Sequence, residues 1–171
     1  MRRCSVIRAW MTGVLALAGA AAIGADLDAV HPTSTMVGIR SEGAPARPPT
    51  WQAGLLERIA TTDDLHVATY RENHVTLGAP TWTWSVAVDG ELYVRAYNGI
   101  RSSWYKSAMR ERAGQISAAG MKKLVAFEPV QGGINDKIDV AYRVKYAGSR
   151  YLDGMLGERA SAATMRIRPA E

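Results

Sequence analysis

TWTWSVAVDGELYVRAY, residues 81–97, decides the fold class. From Thr81 to Val88 the chain alternates without a break. Trp82, Trp84, Val86 and Val88 fall on one face, and Thr81, Thr83, Ser85 and Ala87 on the other. Asp89-Gly90 is a dipeptide that reverses a chain within two residues, because both residues tolerate left-handed backbone. ELYVRAY (91–97) is therefore expected to return antiparallel, with Tyr93, Arg95 and Tyr97 opposite Leu92, Val94 and Ala96. A face that pairs two tryptophans with two valines is ordinarily core.

The same logic extends in both directions. LHVATY (65–70) is rich in strand formers, QIS (115–117) and KKLVAFEPV (122–130) read as a hairpin around Ala118 to Met121, and ATMRIRP (163–169) is a last strand ended by Pro169. Helices interrupt this pattern. One starts at Trp51 behind a Thr50 cap, with Trp51, Leu55 and Ile59 on one face. Another runs from about Ser103 to Arg112. A third, near 136–147, has Asp136 and Asp139 early, Arg143 and Lys145 late, and Gly148 beyond, an order that suits the helix dipole and a C-terminal cap. The sum is a mainly β fold with a few helices, most economically a small antiparallel barrel.

The first 25 residues, MRRCSVIRAWMTGVLALAGAAAIGA, stand apart. Three arginines without an acid precede an Ala/Gly/Leu run that ends in Gly24-Ala25, the build of a cleavable signal peptide. The run is short and weakly apolar for a membrane anchor, so no stable span is expected after cleavage. Arg2-Arg3 also raises twin-arginine export, although Cys4 and Ser5 follow where that signal wants an apolar residue. Residues 26–50, which end in SEGAPARPPT, read as a flexible Pro-rich tether, and residues 51–171 as the domain. The protein is thus expected in the periplasm or medium.

Loss of the leader removes Arg2, Arg3 and Arg8 from a chain whose formal charge is +5, and with them most of the case for a nucleic-acid partner. It also removes Cys4, the single cysteine, so disulfides, thiol catalysis and cysteine-bound metals drop out. His31, His66 and His74 show no ligand spacing, and no metal site is expected. GxSxG, P-loop and GxGxxG patterns are absent, which excludes the common serine hydrolase, P-loop hydrolase and Rossmann classes.

The ordered series LYVRAYNG, SSWYKSAM, GQISAAG, VAFEPV, IDVAYRVKY and ATMRIRP resembles the domain-of-unknown-function 2255 family of bacterial proteins over about residues 51–169. The resemblance implies a split β-barrel, an architecture shared with pyridoxamine-phosphate-oxidase-like flavoproteins and deazaflavin-dependent nitroreductases. The Trp-Tyr pair that opens a short helix is similar to the nitroreductase pattern. Two features depart from the family: the export leader, and Ala119-Gly120 where Gly-Gly is usual. In that architecture the ligand cleft commonly forms between two copies, and a Trp/Tyr-rich face needs covering, so a homodimer is expected.

YVRAYNGIRSSWYK (93–106) is the best site candidate. Ser102 or Ser103 can cap the helix that Trp104 begins, whose free N–H groups attract phosphate. Arg95, Arg101 and Lys106 can add charge, while Trp104 and Tyr105 can stack on a flat ring. Trp84, and Arg71 from across the barrel, complete the candidate cofactor contacts; a core tryptophan and an exposed arginine are the more ordinary roles of these two. An Asp139/Tyr142 pair can in principle handle protons, although a surface ion pair beside a half-buried tyrosine is the plainer outcome. No catalytic residue is assigned. The resemblance favours a barrel that binds FMN or a deazaflavin and passes a hydride to a small organic acceptor. The alternative is a non-enzymatic periplasmic module that binds a small molecule with no cofactor.

Overall fold

A computed structural model describes residues 49–170; the leader (1–25) and all but the last two residues of the tether (26–50) lie outside the described residues. Seven strands form one antiparallel sheet: β1 (His66–Thr69), β2 (Thr81–Trp82), β3 (Ser85–Val88), β4 (Glu91–Arg95), β5 (Ala113–Ala118), β6 (Met121–Pro129) and β7 (Thr164–Pro169). The strand order is β2-β1-β5-β6-β7-β4-β3. The two edge strands, β2 and β3, are neighbours in the chain, separated only by Thr83 and Trp84. The sheet therefore curls until its edges approach, a split antiparallel barrel.

This corrects the expectation of one strand over 81–88. The alternation is real, but the segment leaves one edge and joins the other midway. Thr83 explains the break. Its N–H donates to Leu65 O (3.0 Å), just before β1, and its Oγ1 to Arg95 O (3.1 Å), at the end of β4. One residue thus ties the start of β1 to the end of β4, and the two tryptophans part company. Trp82 is half exposed, its Nε1 donating to Asp63 O (2.8 Å), whereas Trp84 is buried.

Both hairpins sit where the turn residues put them. Asp89 and Gly90 have φ of 51° and 79°, and Val88 pairs with Glu91, so the reversal takes two residues. Ala119 and Gly120 do the same at φ 48° and 75° between Ala118 and Met121. The alanine in left-handed backbone is held by Asp64, whose two carboxylate oxygens accept its N–H at 2.9 and 3.0 Å. That bond is the main reason the Asp64 carboxyl titrates below its ordinary range.

The helices are α1 (Ala53–Thr61), α2 (Ser103–Glu111), α3 (Ile134–Lys145), α4 (Leu152–Leu156) and α5 (Glu158–Ser161). α1 begins later than its sequence suggests, with Gln52 and not Thr50 in the cap position and no side-chain cap. Trp51 instead turns inward and donates from Nε1 to Ile167 O (2.8 Å). The barrel interior is built from alternate residues, Leu92, Val94, Ile116, Val125, Phe127, Met165 and Ile167, closed by Trp51, Leu56 and Ile59. A second apolar cluster lies outside the sheet, where Ile138 and Tyr142 of α3 and Tyr146 at its C-terminal cap cover Trp84, Val86 and Tyr93. No described helix is long and apolar enough to cross a membrane.

Ala119 pays the left-handed penalty of about 1–2 kcal/mol that glycine avoids, while glycine loses about 0.4–1 kcal/mol of unfolded-state entropy. Ala119→Gly is accordingly expected to stabilise the protein by about 0.5–1 kcal/mol, read as a higher urea midpoint at unchanged slope. A lower midpoint would show that the turn is not strained.

Candidate functional site

A cleft of about 500 Å³ opens where the chain crosses between the sheet edges. Its walls come from four places: Thr81 to Trp84 in the crossover, Tyr97 and Asn98 after β4, Ser102 to Trp104 at the start of α2, and Tyr151 and Met155 around α4. Three indole and two phenol rings dominate this lining. None of the lining residues is a carboxylate, a lysine, an arginine or a histidine.

The polar side chains of the cleft are hydroxyls and one amide, which can donate and accept, and free backbone donors lie beside them. Ser102 occupies the cap position of α2 but makes no side-chain cap bond, and its carbonyl accepts the Lys106 N–H (3.0 Å). The first-turn N–H groups, from Ser103 to Tyr105, have no protein acceptor among the described residues. Trp84 is 6% exposed, and its indole N–H likewise has no acceptor there. Trp84 is itself one of the residues that line the cleft. One face of Trp84 is fixed by the Tyr146 ring, stacked at 3.9 Å and 1°.

The sequence candidates divide sharply. Trp84, Ser102, Ser103 and Trp104 line the cleft together. Tyr105 does not, because its helical neighbour points about a quarter-turn away; it is buried in the barrel interior, edge-on to Trp104. Arg101 and Lys106 are exposed and absent from the lining. Arg71 borders a separate shallow depression with Glu72, Asn73, Gly78, Ser107 and Arg110.

Arg95 is the sharpest departure. It is 0% exposed, and each of its five N–H donors has an acceptor. Nε donates to Thr164 Oγ1 (3.0 Å), Nη1 to Asp139 Oδ1 (2.5 Å) and Met155 O (3.2 Å), and Nη2 to Asn135 Oδ1 (2.8 Å) and O (3.4 Å). Its guanidinium carbon lies 5.4 Å from the Tyr142 ring centroid. Alternation placed Arg95 on the face of Tyr93, as expected, but α3 and α4 cover that face. Arg95 lies behind the cleft as a strut and has no donor left for a ligand.

The same covering removes the Asp139/Tyr142 pair from proton chemistry. Asp139 serves Arg95, with Arg143 a distant second partner at 3.9 Å. Tyr142 is fully buried, not half-buried, and donates to Trp84 O (3.1 Å); burial holds its phenol un-ionised far above the ordinary range. Tyr146 is raised for the same reason, its hydroxyl donating to Asp63 Oδ1 (3.0 Å) and accepting the Ser85 N–H (3.0 Å).

Sequence reasoning missed Tyr151 and Met155, because α4 and α5 are five and four residues long and punctuated by Gly154 and Gly157. No periodicity marks them. Tyr97 and Asn98 lie inside the candidate stretch but were given no ligand role there, although they carry a signal: an aromatic ending a strand, then a turn. Gly99 is required there. With φ +64°, a Cβ on it would meet Arg159 O at 2.6 Å, so the turn sits directly on α5.

The family model described as "Uncharacterized protein conserved in bacteria (DUF2255)" matches residues 55–167, more than half of the chain. No curated protein matches. Among solved structures, a conserved hypothetical protein from Mycobacterium tuberculosis is similar at 14% identity and TM-score 0.49, over 72% of this chain and 83% of that one. An FAD-binding protein from Mesorhizobium loti is similar at 16% identity and TM-score 0.41, over 71% and 92%.

Removing one partner of a buried ion pair leaves a charge uncompensated. Asp139→Ala is expected to destabilise the protein by about 3 kcal/mol, the low end of the usual range because Asp139 is partly exposed. Arg143→Ala, on the exposed side of the same carboxylate, should stay within about 0.5 kcal/mol. Equal losses in chemical denaturation would show that Arg95 is not the partner that matters.

Proposed function

The chain belongs to the DUF2255 family, and from that premise we propose that the cleft between Trp84 and Trp104 binds a flat conjugated ring. The observation that carries this is the lining itself: five aromatic side chains around about 500 Å³, with unpaired donors and no ionisable group of the kind that performs acid–base catalysis near neutral pH. Large rigid rings give stacking area at little entropic cost. The donors of α2 and of Trp84 suit the carbonyl and ring-nitrogen acceptors along the edge of a heteroaromatic system.

A flavin or deazaflavin is the cofactor class we place there, as the split-barrel resemblance implies. Such a ring, when bound, supplies hydride chemistry that this lining does not. The chain's own part is then to hold one ring face against Trp104, to meet its polar edge with N–H groups, and to exclude water on the Trp84 side. The protein is read on this basis as an oxidoreductase acting on a small organic acceptor. The same lack of ionisable lining favours a second reading, a binding module without catalysis. An export leader over residues 1–25, with the mature protein starting near Asp26 in the periplasm or medium, completes the proposal.

Two measurements test these readings. Titration with riboflavin, FMN and a deazaflavin is expected to quench tryptophan fluorescence and shift the visible band of the ligand, with affinity about five- to tenfold lower in Trp104→Ala. Absence of both signals for all three compounds would leave the binding module. N-terminal sequencing of the protein from its native compartment should begin near Asp26; a membrane-bound chain that begins at Met1 would reject the leader.

A further inference from the structure

The cations nominated by the sequence do not reach the cleft, yet two others flank it. Tyr97 and Tyr151 form one wall, edge-to-face with ring centroids 6.1 Å apart, and each carries a guanidinium over its ring. Arg159 lies 5.5 Å from the Tyr97 centroid and Arg150 lies 4.9 Å from the Tyr151 centroid. Arg150 Nη2 also donates to Tyr151 Oη (2.7 Å). Neither arginine makes an ion pair among the described residues, although Asp153 and Glu158 are close in sequence.

These arginines are positioned by structure and not merely exposed. Arg159 is packed against the Gly99 turn, where any side chain at 99 would collide with its backbone and its Cγ. Gly154, between the two, leaves room for the Tyr97 hydroxyl, which a Cβ there would meet at 2.7 Å. A guanidinium stacked on an aromatic face keeps its N–H edge free for oxyanions while it loses conformational freedom in advance. The result is a cleft with no charged side chain in its lining and two guanidiniums stacked on rings of its wall.

Resting on the reading of the cleft as a ring site, we propose that Arg150 and Arg159 hold the anionic tail of its ligand, so that the site selects a phosphorylated aromatic over its uncharged parent. The phosphate stays at the wet rim, where it keeps part of its hydration. The ring enters the dry interior. This division requires no charge to be desolvated, which is the expensive step for a phosphate.

The test compares ligand pairs that differ only in the phosphate: FMN against riboflavin, and 1-naphthyl phosphate against 1-naphthol, by tryptophan fluorescence. In the wild-type protein the phosphorylated member is expected to bind about tenfold tighter, with the gap shrinking at about 0.5 M salt. In the double variant Arg150→Gln/Arg159→Gln the gap should close while the affinity for the uncharged member is unmoved. Glutamine retains the methylene stem that packs on Gly99, and a circular dichroism melt checks the fold. In Arg71→Gln the gap should persist. A gap that survives the double variant, or no gap in the wild type, overturns the proposal and leaves the ring site standing. A gap for the naphthyl pair without binding of either flavin rejects the flavin reading and keeps the rim. Failure of all four compounds to bind rejects both.

Discussion

A fully buried guanidinium organises this protein. Arg95 ends β4 on the outer face of the sheet, and its five donors reach β7, α3 and α4 at once. An arginine is tolerated without solvent only when every donor is matched and its charge is countered, here by Asp139. The requirement is geometric. α3 must present Asn135 and Asp139, separated by four residues and so on one face, and α4 must present the Met155 carbonyl. Helices that meet these terms necessarily cover the outer face, and the tyrosine cluster forms beneath them.

The cleft is a consequence of that arrangement. Thr83 ties the end of β4 to the start of β1, so the sheet curls but is bridged by side chain and crossover, not by a continuous ladder of edge bonds. Where the ladder is missing, the crossover brings the buried Trp84 to the wall of the cleft and leaves its N–H without an acceptor among the described residues. α4, held by Arg95, brings Tyr151 and Met155 to the opposite wall. Arg95 therefore shapes the site through other residues, and contributes none of its own charge to it.

The chemistry of the cleft follows from where charge is cheap. Burying Arg95 demanded a full set of partners; placing two further cations on exposed tyrosine faces demanded almost nothing. An aromatic lining without charged side chains, with two arginines stacked on rings of its wall, would on the proposed reading separate stacking from charge recognition. That separation lets the two be measured independently.

Much of the fold was legible in local chemistry. Asp89-Gly90 and Ala119-Gly120 set two reversals, and alternation set which residues of β4 share a face; Gly148, expected to cap α3, instead turns the chain at φ 79° two residues past the Tyr146 cap. These are short-range constraints, satisfied within a few residues, and the sequence states them directly. Membership of the candidate site was legible only in part: Trp84, Ser102, Ser103 and Trp104 carry their signal in alternation and helix capping. Tertiary structure decided the rest. Whether Thr81–Val88 is one strand or two depends on Leu65 and Arg95, distant in the chain, and whether Arg95 faces a ligand or a carboxylate depends on α3 packing over it. Alternation assigns a residue to a face of the sheet, but only the elements that pack on that face decide whether it meets solvent, a ligand or the core.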